Sequence, residues 1–240
     1  GDARDLYLFV AAAAGLPATF DLSTLNGTNG FVLEGIDTED YSGFSVGTAG
    51  DVNGDGFDDL LVGASKADPG GTDRAGETYV LFGTAGGFAA TFDLSTLNGT
   101  NGFAIEGVGA GDESGRSVSN AGDVNGDGFD DLLIGAPYAD PGGTGEAGDT
   151  YLFFGAAGGF AASFDLSTLD GTNGFVLEGI DADDFSGASV SSAGDVNGDG
   201  FDDLLIGAPL ADQVGFSFGE TYVFFGRDFT AAVTHAGGDT

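Results

Sequence analysis

The nonapeptide DVNGDGFDD at residues 51–59 decides the architecture of this chain, because it returns unchanged at residues 123–131 and 195–203. Its three copies stand 72 residues apart, and two flanking motifs keep the same spacing. These motifs are FDLSTL, starting at Phe20, Phe92 and Phe164, and Phe-x-x-Glu-Gly, starting at Phe31, Phe103 and Phe175. A fixed period of this kind is typical of repeat proteins, in which each repeat is one supersecondary unit.

Each period predicts four short strands between glycine-rich turns, and no segment has a helical hydrophobic period. In the first full repeat the predicted strands are Phe44–Thr48, Asp59–Gly63, Thr78–Gly83 and Phe103–Val108. The run Leu60–Val62 is apolar at successive positions, which indicates a strand that is covered on both faces. Four antiparallel strands per unit with both faces buried are typical of β-propeller blades. The sequence therefore predicts an all-β fold of propeller blades built from 72-residue repeats.

The repeat frame divides the chain into five segments. These are a partial leading repeat with the last two strands of a blade (1–42), two full repeats (43–114 and 115–186), an incomplete third repeat (187–226) and a tail or linker (227–240). Even the smallest propellers need four blades. We therefore expect a partial ring that is completed by further repeats of a parent chain, or by a second copy of this chain, with an open stacked array as the third alternative.

Composition excludes several classes of function. The chain has 39 acidic residues against five Lys and Arg, a formal net charge of −34, so it offers no surface that could neutralise nucleic-acid phosphates or an anionic membrane. It has no cysteine, which excludes disulfides and thiolate zinc sites. Its apolar runs are too short to cross a bilayer. We expect neither a nucleic-acid partner nor membrane insertion.

We also predict that this chain is not an enzyme. Its sole histidine, His235, lies in the aperiodic tail, so the repeats cannot form a Ser-His-Asp set. Composition leaves open a carboxylate pair for glycoside hydrolysis. However, every acidic motif recurs in identical copies, which favours a repeated structural role over a single active site.

The nonapeptide itself predicts a calcium site. Side-chain oxygens stand at positions one, three, five and nine, and the backbone carbonyl of position seven can join them, which gives the oxygen cage that Ca²⁺ prefers. Glycine at position six permits the sharp turn. An EF-hand would need Glu at position twelve and flanking helices, whereas Val62 stands there and strands follow. We expect three Ca²⁺ ions, one per loop. The predicted ligands are Asp51, Asn53, Asp55, Phe57 (carbonyl) and Asp59; Asp123, Asn125, Asp127, Phe129 and Asp131; and Asp195, Asn197, Asp199, Phe201 and Asp203.

Together, the SGFSV stretch at residues 42–46, the nonapeptide and the Gly-Ala-Pro at 135–137 and 207–209 resemble FG-GAP repeats, the blades of the integrin α-subunit head. The resemblance covers residues 1–226. There are two departures: Gly63-Ala-Ser65 lacks the proline, and Phe-Gly appears in the reverse order at Gly43-Phe44. The resemblance implies calcium sites in the hairpin between the first two strands of each blade, and partner recognition by loops on the opposite face. Those loops would be 37–42, 109–114, 181–186, 68–76, 140–148 and 212–219.

The function implied by this resemblance is a calcium-stabilised, extracellular interaction or adhesion module of a larger secreted or surface protein. Its partner would be a protein or polysaccharide surface. The alternatives are a passive structural scaffold and a non-catalytic domain attached to an extracellular hydrolase. The regular copies are also similar to those of large secreted bacterial proteins with calcium-binding repeats. In the loop at 212–219, Val214, Phe216 and Phe218 would form either a contact surface or local packing.

Overall fold

The computed structural model describes residues 6–9, 18–212 and 218–229. This part of the chain contains fifteen strands and five three-residue 3₁₀ turns, the latter at Leu22–Thr24, Pro69–Gly71, Leu94–Thr96, Pro141–Gly143 and Leu166–Thr168. The strands are β1 (Leu6–Phe9), β2 (Gly30–Glu34), β3 (Ser42–Gly50), β4 (Asp59–Ala64), β5 (Glu77–Leu81), β6 (Thr91–Asp93), β7 (Gly102–Glu106), β8 (Ser117–Gly122), β9 (Asp131–Ala136), β10 (Asp149–Phe153), β11 (Ser163–Asp165), β12 (Gly174–Glu178), β13 (Ser189–Gly194), β14 (Asp203–Ala208) and β15 (Glu220–Phe224). No helix among the described residues is long and apolar enough to cross a membrane.

The strands form four sheets. A leading sheet has the order β1-β2-β6; blade 1 has the order β11-β7-β5-β4-β3, blade 2 the order β12-β10-β9-β8, and blade 3 the order β13-β14-β15. Within each blade, strands that are consecutive in the repeat pair antiparallel, as in a meander. The prediction of an all-β fold of antiparallel blades is confirmed, and the described strands form a partial ring.

The structure adds a fifth strand to the predicted four. The start of the FDLSTL motif at Phe92, and of that at Phe164, crosses back to the preceding sheet and pairs parallel with its outer strand, β6 on β2 and β11 on β7. The aspartate that ends β6, Asp93, then caps the following 3₁₀ turn, because its carboxylate accepts a hydrogen bond from the Ser95 N–H at 2.9 Å. This flanking motif therefore ties blade 1 to the leading sheet and blade 2 to blade 1.

The predicted strands of the first repeat are all present with shifted ends. The clearest shift is at β5, which stops at Leu81 rather than at Gly83. Gly83 leaves the ladder because its N–H donates to the buried Asp59 carboxylate at 2.8 Å. The calcium-loop sequence therefore also decides where the third strand of the blade ends.

The core lies between the sheets. Phe31 and Leu33 of the leading sheet pack in one apolar cluster with Val62 and Tyr79 of blade 1, and blades 1 and 2 and blades 2 and 3 share two further clusters. Leu61 and Val62, on opposite faces of β4, are 1% and 0% exposed. The prediction that this strand is covered on both faces is confirmed. Burial of apolar side chains between neighbouring blades is what holds the arc together.

Candidate metal centre

Each nonapeptide forms the loop between the first two strands of its blade. The loops connect β3 to β4, β8 to β9 and β13 to β14, so they lie at one end of the blades, which we call the loop end. Just before the loop, the register of the pairing between the first two strands shifts; in blade 1 this shift lies between Thr48 and Gly50. All fifteen predicted ligands therefore lie at the loop end, five in each loop.

Positions one, three and five are drawn together by the backbone of their own loop. The Asp51 carboxylate accepts from the N–H groups of Asp55 and Gly56, both at 2.9 Å. The Asn53 amide oxygen also accepts from the Asp55 N–H, and the Asp55 carboxylate accepts from the Phe57 N–H at 3.0 Å. The two other loops repeat this pattern. Gly56 has a φ of 89°, the left-handed region that glycine adopts without cost.

Position nine is buried beneath the loop. Asp59 is completely buried, and its carboxylate accepts from the N–H groups of Val52 at 3.1 Å and Gly83 at 2.8 Å. Asp131 and Asp203 make the same pair of bonds in their blades. Each of these carboxylates therefore ties the loop to the end of the third strand. Burial raises the pKa of Asp59 to about 7 and that of Asp131 to about 8, against the opposing effect of these hydrogen bonds.

The loop end carries strong acidic charge, with four aspartates in each nonapeptide. Among the described residues, the Glu113 carboxylate forms ion pairs with Arg74 and Arg116 at the opposite end of the blades. Within the described part of the chain, no three Asp, Glu, His or Cys side chains are already gathered around a metal-sized space. In this structure the loop oxygens face the loop's own N–H groups instead. The donor set is nevertheless entirely oxygen, which fits a hard cation such as Ca²⁺.

Position eight has a role that the sequence did not indicate. The Asp130 carboxylate accepts from the Asp51 N–H of the preceding loop at 2.8 Å, and the Asp130 N–H donates to the Asp51 carbonyl at 3.3 Å. Asp202 makes the same two bonds to Asp123, at 2.9 and 3.2 Å. The acid at position eight therefore joins one calcium loop to the next. Its partner is a backbone group 79 residues away, and the only signal for it in the sequence was its strict repetition.

The opposite end of the blades, which we call the mouth end, carries the loops implied in partner recognition. Residues 111–114 lie along residues 73–75 of the same repeat, with N–H groups of Glu113 and Ser114 donating to the carbonyls of Arg74 and Ala75. The buried Glu113 carboxylate accepts from the Arg116 guanidinium at 2.6 Å and lies 3.6 Å from that of Arg74.

The mouth end differs from repeat to repeat. One position has a left-handed backbone in all three repeats but a different side chain in each: Tyr41, Glu113 and Phe185, with φ of 57°, 51° and 56°. Arg116 stands where the other repeats have Phe44 and Ala188, and its guanidinium lies 4.9 Å from the centre of the Phe44 ring. Among residues 212–219, Val214 and Phe216 lie outside the described residues, and Phe218 is exposed.

Carboxylates are also buried at the mouth end. Asp149 begins β10, directly opposite Glu178 of β12. Burial, together with the charges of Glu178 and Asp112, raises the pKa of Asp149 to about 7. Its counterparts Glu77 and Glu220 each accept a hydrogen bond from the tyrosine hydroxyl two residues later, whereas Oδ1 of Asp149 has no partner among the described residues. Asp149 differs from these two counterparts because its side chain is one methylene shorter than that of Glu.

Comparison with known proteins gives the family. The family model described as FG-GAP repeat matches residues 42–81, 114–153 and 186–224. Over 193 residues the chain is 34% identical to integrin alpha-PS2 of Drosophila melanogaster, covering 79% of this chain and 13% of that protein. Over 217 residues it is 30% identical to integrin alpha-5 of Xenopus laevis, covering 86% of this chain and 18% of that protein. The chain thus spans less than a fifth of the length of either relative. With three matched repeats and these relatives, the chain belongs to the FG-GAP repeat family of integrin-like β-propeller proteins.

Proposed function

We propose that this chain is a calcium-stabilised interaction or adhesion module of a larger secreted or cell-surface protein. The observation that carries the proposal is the threefold loop of oxygen donors at the loop end, combined with side chains at the mouth end that differ between repeats. Repeat proteins use one face for repeated structural contacts and another for recognition. Its integrin relatives support an extracellular, interaction-type propeller.

Calcium fits the residues present in each loop. The side chains of positions one, three, five and nine and the carbonyl of position seven would hold it. When bound, Ca²⁺ supplies the positive charge that lets several neighbouring carboxylates stay ionised. Asp59 links the loop to Val52 and Gly83, so a cation held there would fasten the first two strands of the blade to the end of the third. Metal affinity of this kind adds to folding free energy.

The mouth end is where we place partner recognition, on a protein or polysaccharide surface. Its loops are held by backbone hydrogen bonds, as between Glu113 and Arg74, which leaves the side chains there free to vary. A passive structural scaffold is the second candidate, and the identity of the three calcium loops is the observation that favours it. We assign no catalytic role, since every acidic motif recurs in each repeat.

Calorimetric titration of the whole chain with Ca²⁺ after chelation tests the metal sites. We expect three binding events and a rise in the melting temperature that magnesium does not reproduce. The matched control is the variant D51N/D123N/D195N, which removes one carboxylate ligand per loop and should weaken all three sites. Absence of binding heat together with an unchanged melting temperature in chelator would overturn the calcium assignment.

Binding to immobilised matrix proteins and polysaccharides, with and without calcium, separates the two candidate functions. An adhesion module binds at least one such surface in calcium and loses the binding in chelator. A chain that binds three calcium ions but none of the surfaces would support the passive scaffold instead.

A further inference from the structure

The dipeptide Asn-Gly occurs eight times in this chain, and in every calcium loop it fills positions three and four. Asparagine is a thermally labile residue, because its side-chain amide can react with the backbone nitrogen that follows it. Glycine places no side chain beside that nitrogen and so hinders the reaction least. The environment of the glycine N–H therefore decides which of the eight pairs can react.

Five of the pairs lie in turns or at the start of strands. In the turn at 26–27 the Gly27 N–H donates to the Gly30 carbonyl at 2.8 Å, and the turn at 98–99 repeats this bond. In the three pairs at 29–30, 101–102 and 173–174 the glycine is buried and is the first residue of β2, β7 or β12. In these five pairs the glycine nitrogen is either hydrogen-bonded or shielded from water.

The three pairs in the calcium loops differ from one another, although the loop sequences are identical. In blades 2 and 3 the N–H at position four donates to the carboxylate at position one, Gly126 to Asp123 at 2.7 Å and Gly198 to Asp195 at 2.6 Å. In blade 1 the Asp51 carboxylate accepts from positions five and six but not from Gly54. Within the described ranges nothing accepts the Gly54 N–H, and Gly54 is exposed.

The amide that precedes Gly54 is held by the backbone and side chain of Asp55. The Asn53 amide oxygen accepts from the Asp55 N–H at 2.8 Å, and its nitrogen donates to the Asp55 carboxylate at 3.1 Å. A donor on the amide oxygen stabilises the negative charge that develops there when a nucleophile adds to the amide carbon. Since the nucleophile is the next residue of the same chain, no second molecule has to be brought into place.

We propose that Asn53 is a self-modification site of the calcium-free chain. The Gly54 nitrogen forms a bond to Cγ of Asn53, and the bond between Cγ and Nδ2 breaks. The Gly54 N–H proton passes to the departing nitrogen, which leaves as ammonia, and a cyclic imide remains. Water then opens the imide at Cγ, which gives aspartate, or at the main-chain carbonyl, which gives isoaspartate. The sequence is a cyclisation and a hydrolysis, so it needs no oxidant or reductant.

Isoaspartate at position 53 changes both the loop and its contact with the next blade. The main chain then runs through the former side chain and is longer by one methylene. Gly54 lies directly against the Phe129 ring of the next loop, since a Cβ atom on Gly54 would collide with that ring. The longer backbone therefore disturbs this contact, and the amide oxygen predicted as a calcium ligand is lost.

Protection by calcium rests on the proposed function, whereas the reactivity of Asn53 does not. Ring closure requires Cγ of Asn53 to turn towards the Gly54 nitrogen. A side chain that is held as a calcium ligand cannot turn in this way. A period without calcium therefore leaves a permanent chemical change in blade 1.

Ageing the whole chain at neutral pH, in chelator and in millimolar calcium, tests this site. Peptide mass spectrometry follows each loop separately, because the residues that flank the three nonapeptides differ, and enzymatic methylation detects isoaspartate. In chelator, Asn53 should convert about tenfold faster than Asn125 and Asn197, whose neighbouring N–H groups must first leave a carboxylate. Calcium should slow the conversion of Asn53, and a chain aged in chelator should afterwards bind one Ca²⁺ fewer than a fresh one.

The matched variants are N53Q and N125Q, in which the longer side chain disfavours ring closure. N53Q should abolish the fast conversion, whereas N125Q should leave it unchanged. Equal conversion of the three loops in chelator, or no conversion of Asn53, would overturn the proposal. If Asn53 converts fastest but at the same rate with and without calcium, the modification site is supported and the role of Asn53 as a calcium ligand is contradicted.

Discussion

The two ends of the blades differ in how much they vary. At the loop end, the three nonapeptides are identical, and the position-nine carboxylate accepts from the N–H of position two in every blade. At the mouth end, one left-handed backbone position presents a phenol, a carboxylate and a phenyl ring in turn, at Tyr41, Glu113 and Phe185. Identical loops indicate a structural role that all blades share. Side chains that change on a constant backbone indicate where one blade can differ from another.

Backbone bonding explains how the mouth end can vary without losing its shape. The N–H of Glu113 donates to the Arg74 carbonyl, and the N–H of Phe185 donates to the Glu146 carbonyl in the next repeat. Neither bond depends on the side chain. At the loop end the reverse holds, because carboxylates such as that of Asp131 satisfy the backbone N–H groups. Substitution should therefore cost more at the loop end than at the mouth end.

The largest effect is expected at position nine. Asp131→Ala leaves the buried N–H groups of Val124 and Gly155 without an acceptor, which costs about 3 kcal/mol of unfolding free energy and lowers the melting temperature by about 6–12 °C. Asp131→Asn keeps one acceptor oxygen, so it should lower the free energy of unfolding by less than Asp131→Ala does. Urea unfolding of the monomer measures the free energy of unfolding of each variant, and thermal unfolding measures its melting temperature.

The control for this substitution is Asp58→Ala, the same chemical change in an exposed residue of an equivalent loop. It should change the stability of the monomer by less than about 0.5 kcal/mol. Equal losses for Asp131→Ala and Asp58→Ala would contradict the role assigned to the buried carboxylate.

A smaller effect is expected at Glu113 of the mouth end. Glu113→Ala removes the ion pairs to Arg74 and Arg116, but both guanidinium groups are partly exposed and can be rehydrated, so we expect a loss of about 1 kcal/mol. Glu113→Gly removes the same pairs and also relieves the left-handed backbone, which should restore about 1 kcal/mol. Chemical denaturation of the two variants measures the difference. If Gly were no better than Ala, the backbone at this position would not be strained.

A buried carboxylate at the mouth end also makes stability depend on pH. Burial, Glu178 and Asp112 raise the pKa of Asp149 to about 7, above its value in the unfolded chain. Between about pH 4 and pH 7 the folded state then holds more protons than the unfolded state, so the free energy of unfolding falls as pH rises. Asp149→Asn should remove about 1 kcal/mol of that fall, after allowance for solvent screening. Urea titrations at pH 5 and pH 8 in calcium measure it; an unchanged slope in Asp149→Asn would contradict the assignment.

How far the sequence predicts the structure also differs between features. The repeat spacing and the apolar runs predicted the blades, and the run that starts at Asp59 correctly placed the loop before a strand. The parallel strand at Thr91–Asp93 was missed, because three residues without alternation do not differ from a linker. The role of Asp130 was missed since its partner, the Asp51 N–H, is distant in sequence. The raised pKa of Asp149 depends on burial, which a sequence does not state.

The smallest effect is expected in a turn where the repeats themselves already differ. Asn98 accepts hydrogen bonds from the N–H and hydroxyl of Thr100, and Asp170 makes the same two bonds to Thr172 in the next repeat. Asn98→Asp should therefore change stability by less than about 0.5 kcal/mol, with any loss larger at low salt because the chain is already strongly acidic. Thermal unfolding at two salt concentrations measures it. A loss that salt does not reduce would mean that the turn needs the amide, although Asp170 serves in its place one repeat later.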